Sequence, residues 1–222
     1  MVASQLLSVD DRKAVSAAVA EAEKKTSAEI VPVVATSSDR YERAEDIVGL
    51  VTALVAVAAT WTQFQHVRTD WEDAPELSLQ LPFVLAIFGA GWAIGLLLAK
   101  GIPALKRLAI PRKVALGRVL IAAHHAFDSL HVRNTSGREG VVIFVSLFEH
   151  RVCVWADEAV SAKIPEAAWQ EACETLVKAL KSGKPRDGFV DAIKKLGDVL
   201  AKDFPVRPTD VNELSNELRI LD

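Results

Sequence analysis

Three side chains on one stretch, His124, Asp128 and His131, stand four and three residues apart. Helical periodicity would bring them to one face, where two imidazoles and a carboxylate could share a metal ion. The same spacing equally describes a polar flank beside an apolar stripe. A second pair, Asp157 and Glu158, closes an apolar segment and could hold a hard cation together with backbone carbonyls. Its competing role is helix capping. Cys153 and Cys173 lie in no metal-like spacing and read as reduced, packed thiols. No GxSxG, phosphate loop, HExxH or cysteine beside a base is present, and SGKPRDG (182–188) reads as an interhelical turn. Chemistry is therefore sparse, and a divalent cation is the one cofactor these residues leave open.

The elements that would carry those groups are of two kinds. The chain has 222 residues, 50% of them hydrophobic, with a net charge of −3. That charge, and the lack of a basic run interleaved with aromatics, argues against nucleic acid as a partner. The apolar excess is concentrated between Ile47 and Ala99. There, Ile47 to Phe64 is about eighteen residues without charge, and Leu77 to Ala99 about twenty-three, each long enough to cross a hydrocarbon core. The polar loop QHVRTDWEDAPE joins them. Two such runs in succession predict a transmembrane hairpin over 46–100, with membrane lipids as a partner.

Orientation follows from lysine and arginine. The loop carries Arg68 alone, whereas Lys100, Lys106, Arg107, Arg112, Lys113 and Arg118 follow the second run and Arg40 and Arg43 precede the first. Both termini are expected in the cytoplasm and Asp70 to Glu76 outside, with Trp61, Phe64 and Trp71 near the outer interface. MVASQLLSVDDRKAV lacks the charge and apolar run of a signal peptide. Gly91 and Gly95, with Gly49 and Ala53, place small residues at helix-packing spacing. They either pack the hairpin on itself or dock another integral membrane protein.

The flanks, 1–45 and 101–205, read as one split α/β domain. Ser8 with Asp11 predicts a capped helix to about Lys25. A strand follows over Glu29 to Thr36, with Pro32 hinting at an edge or bulge. Pro111 precedes a helix to about His131, whose apolar face is predicted as Leu116, Leu120, Ala123, Phe127 and Leu130. Strands are expected at 141–147 and 151–156, with Glu149 and His150 at their turn, then helices at 165–181 and 187–202. Residues 206–222 read as a polar, partly extended tail.

The SAEIV start of the first strand (27–31), REGVVIFVSLFEHRV (138–152), WADEAV (155–160) and DGFVDAIKKLGDVLAKDFP (187–205) resemble the TPM domain family. The likeness is greatest to its short bacterial branch, where tails like NELSNELRIL occur. The resemblance implies a three-layer α/β/α sandwich, here with the hairpin inserted in the first crossover. Members include phosphatase-like proteins of plant thylakoids that assist photosystem repair, and some bind calcium. Phosphatase-like members carry a Gly-rich turn and a Leu-Thr-Asp segment where this chain reads WADEAVSAKIP, leaving Asp157 and Glu158 as its carboxylates there. Well-known members work outside the cytoplasm. The sparse chemistry, the small-residue helix face and the family's link to photosystem maintenance together point to a non-enzymatic, membrane-anchored accessory or assembly subunit of an inner-membrane complex, photosynthetic or respiratory. Its rival is a metal-dependent phosphatase at the cytoplasmic membrane surface.

Overall fold

The computed structural model describes residues 2–64, 81–135, 137–207 and 211–222. The chain divides into two compact units, one of residues 1–39 with 115–222 and one of residues 40–114. The expected polar loop, its outward-facing segment Asp70 to Glu76, Trp71 and the start of the second apolar run at Leu77 lie outside the described residues.

The first unit is mixed α/β around a four-stranded sheet. Its chain begins with α1 (Val9–Glu23), where Ser8 Oγ accepts the Asp11 N–H at 3.1 Å and the Asp11 carboxylate accepts the Ser8 N–H at 3.1 Å. This reciprocal pair satisfies two of the helix's orphan donors, worth about 1 kcal/mol. Strand β1 (Glu29–Ala35) follows. After the second unit come α5 (Arg112–Ser129), β2 (Gly140–Ser146), β3 (Arg151–Ala156), the single turn α6 (Glu158–Ser161), α7 (Glu166–Lys181), α8 (Pro185–Asp203) and β4 (Arg219–Leu221).

Sheet order is β3-β2-β1-β4, with β1 parallel to β2 and β4, and β2 antiparallel to β3. Alternation along the strands divides the core. Ile30, Val34, Val141, Ile143 and Val145 pack with Val15 and Val19 of α1, Leu176 of α7 and Phe189, Ile193, Leu196 and Leu200 of α8. Val31, Val33, Val142 and Phe144 pack with Val119, Ala123, Ala126 and Phe127 of α5. Both β1 and β2 are buried along their whole length, which explains their unbroken Val/Ile character. Gly140 opens β2 because a Cβ there would lie 2.4 Å from the Val132 carbonyl oxygen.

Four expectations change. Pro32 sits in a central strand, but β4 pairs only with Val33 to Ala35, so the ladder on that side begins just beyond the proline. The C-terminal tail is part of the sheet through Arg219–Leu221. On α5, Leu116 and Leu120 are exposed, and the core face is Val119, Ala123, Ala126 and Phe127. That helix also stops at Ser129, before His131.

The second unit contains α2 (Glu42–Phe64), α3 (Leu81–Gly101) and α4 (Pro103–Leu108). α2 and α3 pack through their small residues: a Cβ on Gly95 would lie 2.6 Å from Gly49 Cα, and one on Gly91 2.9 Å from Ala53 Cα. At the open end of the pair, Lys106 Nζ donates to Glu45 Oε1 at 2.6 Å and to the Arg40 carbonyl at 2.5 Å. Both helices are long and apolar enough to cross a membrane, yet only 17% and 11% of their apolar eighteen-residue windows is buried. Val55 and Leu97, at 62% and 70% exposure, typify their outer faces.

Candidate functional site

The start of β1, the start of β2 and the end of β3 meet at one end of the sheet, since Glu29 pairs with Gly140 and Val141 with Ala156. This topology gathers three buried carboxylates, Glu29, Glu139 and Asp157, from distant parts of the sequence. Two are engaged by ordinary partners. Ser27 Oγ donates to Glu139 Oε2 at 2.5 Å, and the Arg207 guanidinium pairs with the other oxygen. The Glu213 N–H donates to Glu29 Oε1 at 3.0 Å.

Asp157 differs. It is 8% exposed, and its Oδ2 is buried with no hydrogen-bond partner. Its backbone is well held: the N–H donates to the Gly140 carbonyl at 2.9 Å, and its carbonyl accepts the Ser161 hydroxyl at 2.9 Å. Burial pushes its carboxyl above the ordinary value. The Glu158 N–H, Arg133 and Arg138 act in the opposite sense, and Glu158 adds a small upward push. An acid held at a strand end with its proton affinity raised is the most chemically distinctive group in the domain.

Beside it runs a polar string on the α5 side. His124 Nε2 lies 3.5 Å from Asp128 Oδ2, and Arg133 Nε lies 3.6 Å from Asp128 Oδ1. The His124 ring meets Trp155 edge-on at 5.0 Å. His131 does not join them on a helical face. It lies past the end of α5 with φ of 58°, a left-handed conformation that redirects the chain into the turn before β2. The His124–Asp128–His131 triplet is therefore not assembled on α5, and its surviving pair salts to Arg133.

A second cluster, not singled out from sequence, occupies the opposite end of the sheet. Ser38 Oγ donates to Ser146 Oγ at 2.9 Å, Ser146 Oγ donates to the buried Glu149 carboxylate, and the Ser38 N–H donates to Glu149 Oε1 at 2.9 Å. The loop after β1 is thereby tied to the β2–β3 turn, in which His150 takes a left-handed φ of 53°. The only sequence signal was Ser146 followed three residues later by Glu149 at a strand end; Ser38 is 108 positions away.

Neither cysteine is in a disulfide. Burial, with a smaller push from Cys173, raises the Cys153 thiol to about 12, and burial raises Cys173 against a hydrogen bond with the Val154 backbone. Both are poor nucleophiles at neutral pH.

The residues fit a divalent cation poorly. Among the described residues no group of three or more His, Cys, Asp or Glu side chains could hold a metal ion. Ca²⁺ takes about six to eight oxygens, whereas Asp157 has the exposed Glu158 as its chain neighbour and two guanidinium groups acting on it. Gly49, Ala53, Gly91 and Gly95 face one another inside the α2–α3 pair.

With this geometry in view, known proteins place the chain. The BA42 protein from the psychrophilic bacterium Bizionia argentinensis, solved by NMR, matches 96% of this chain and 94% of its own at a TM-score of 0.55 and 20% identity. At that identity the likeness is one of fold. No curated protein matches. A family model described as TPM domain matches residues 117–199, from α5 through β2, β3 and α7 into α8. Residues 117–199 are a TPM domain by this match, within a chain whose fold is like that of BA42.

Proposed function

We propose that this chain is a TPM domain, layered as a three-layer α/β/α sandwich, anchored in the cytoplasmic membrane by a two-helix hairpin inserted between β1 and β2. In this reading it serves as a non-enzymatic accessory or assembly subunit of a larger inner-membrane protein complex. The observation that carries it is the solvent exposure of α2 and α3. Core helices of a water-soluble protein are buried, whereas these two bury only 17% and 11% of their apolar eighteen-residue windows and meet each other through glycines. Leaving faces of Leu, Val, Phe and Ile in water costs about 25 cal/mol per Å², so a bilayer or membrane partner must cover them. Both termini and the α/β domain lie on the cytoplasmic side, supported by the lysine and arginine imbalance.

The accessory role rests on the state of the polar clusters. Glu139 and Glu149 are tied up by serine hydroxyls and, for Glu139, by Arg207. The rival, a divalent-metal-dependent phosphatase, draws on one observation, the unpartnered Asp157 Oδ2. Purification of the full chain in mild detergent separates the two. A stoichiometric membrane-protein partner that survives Asp157→Ala supports the accessory reading. An isolated protein that hydrolyses phosphate esters only with added divalent cation, and loses this in Asp157→Ala, refutes it.

A further inference from the structure

We propose that residues 100–114 form a lipid-binding collar that grips anionic phospholipid headgroups on the leaflet where α3 ends. The inference rests on the membrane reading above and adds a ligand to it. Its starting point is a difference among the basic residues. Lys106 is turned inward, held by Glu45 and the Arg40 carbonyl. Lys100, Arg112 and Lys113 are exposed and make no ion pair among the described residues.

Large apolar side chains stand among these free cations. Ile102, Leu108 and Val114 are exposed, Leu108 at 84%. Such residues gain nothing in water, but at a bilayer surface apolar side chains enter the acyl boundary while long basic ones reach the headgroups. Distance supports the same occupant. Lys100 lies in the last turn of α3, and α4 is six residues long, about 9 Å at 1.5 Å per residue. Arg112 and Lys113 follow four and five positions after Leu108, so all three cations stay within headgroup range of the point where α3 leaves the hydrocarbon.

Counter-charges do not cancel the collar. The described part of this unit carries seven basic residues against Glu42, Glu45 and Asp46, a net of +4. All ten charges lie at the open end of the hairpin, because Glu45 near the start of α2 pairs with Lys106 beyond the end of α3. Glu45 is itself spent on Lys106. A basic cluster directly beside a membrane span, interleaved with exposed apolar residues, is complementary to an anionic leaflet.

The test uses the full chain in nanodiscs of phosphatidylcholine with a minority of phosphatidylglycerol, native mass spectrometry identifying the lipid that stays bound on release. Each basic residue near such a leaflet contributes a preference of about fivefold. The wild type should hold phosphatidylglycerol at least about fivefold above its bulk share. The variant Lys100→Glu/Arg112→Glu/Lys113→Glu should fall to the bulk ratio, and Lys106→Gln and Lys100→Arg/Lys113→Arg should keep the enrichment. No enrichment in the wild type, or enrichment retained by the triple variant, overturns the collar. So does an unchanged lipid ratio combined with loss of a co-purifying membrane protein, which would assign the surface to that protein. Flotation of the wild type with liposomes after an alkaline wash separates the two levels of the argument. If it floats, a failed lipid preference sinks the collar alone; if it does not, the membrane reading fails first and the collar with it.

Discussion

Gly95→Ala adds one methyl at the closest approach of α2 and α3. That methyl carbon would sit 2.6 Å from Gly49 Cα, 2.8 Å from Thr52 Oγ1 and 2.9 Å from Thr52 Cβ. Carbon atoms attract best at about 3.5–4.0 Å, so the two backbones must part by roughly 1 Å. Neither neighbour yields easily, since one is backbone and Thr52 Oγ1 is bonded to the Val48 carbonyl at 2.8 Å. Overpacking of this kind costs about 1–3 kcal/mol. Gly89→Ala is the matched control: it lies in the same helix with nothing within 4 Å of the added carbon. Reversible unfolding in mixed micelles, driven by increasing SDS, measures the difference. Gly95→Ala should unfold at distinctly lower SDS than Gly89→Ala while both still insert. Equal midpoints for the two would refute the hairpin geometry.

Asp157→Asn should raise the thermal midpoint at pH 7, because the folded carboxyl has a raised proton affinity and its ionisation costs stability. The wild type loses that contribution as pH rises from the ordinary value of 3.8 through the native one, so the variant's advantage should shrink toward zero below 3.8; an advantage that grows at low pH contradicts the assignment. Cys153, pushed up to about 12, should alkylate slowly in the native protein at pH 8 and quickly in denaturant, and rapid native labelling would show the thiol to be misplaced. Glu149→Ala leaves the buried Ser146 hydroxyl without its acceptor, at a cost of about 1–3 kcal/mol, whereas an unchanged denaturant midpoint would show the Ser38–Ser146–Glu149 chain to be incidental.

Local signals carried much of the fold. The Ser8–Asp11 cap acts across three residues, and the apolar run of β2 needs only its own length to announce burial, whereas Pro32 pointed β1 toward an edge. The apolar excess of 47–99 marked the two spans for the same reason. What escaped depends on long-range packing. Leu116 and Leu120 look like core by size, yet α5 approaches the sheet through Val119, Ala123 and Ala126, whose small side chains admit a closer helix. β4 is three residues long and exists only because β1 pairs with it. Ser38 and Glu149 are 111 positions apart, so no spacing rule could join them. Asp157 was marked by type, but its buried, unpartnered oxygen comes from the strand end that encloses it. The His131 position failed through a left-handed turn that periodicity cannot foresee.

The central claim is that α2 and α3 lie within a bilayer. Extraction of cell membranes with alkaline carbonate, which strips proteins held by surface charge but leaves spanning helices in place, tests it directly. The full chain should remain in the membrane pellet at all salt concentrations. Release of the intact, folded chain into the carbonate supernatant would contradict the account.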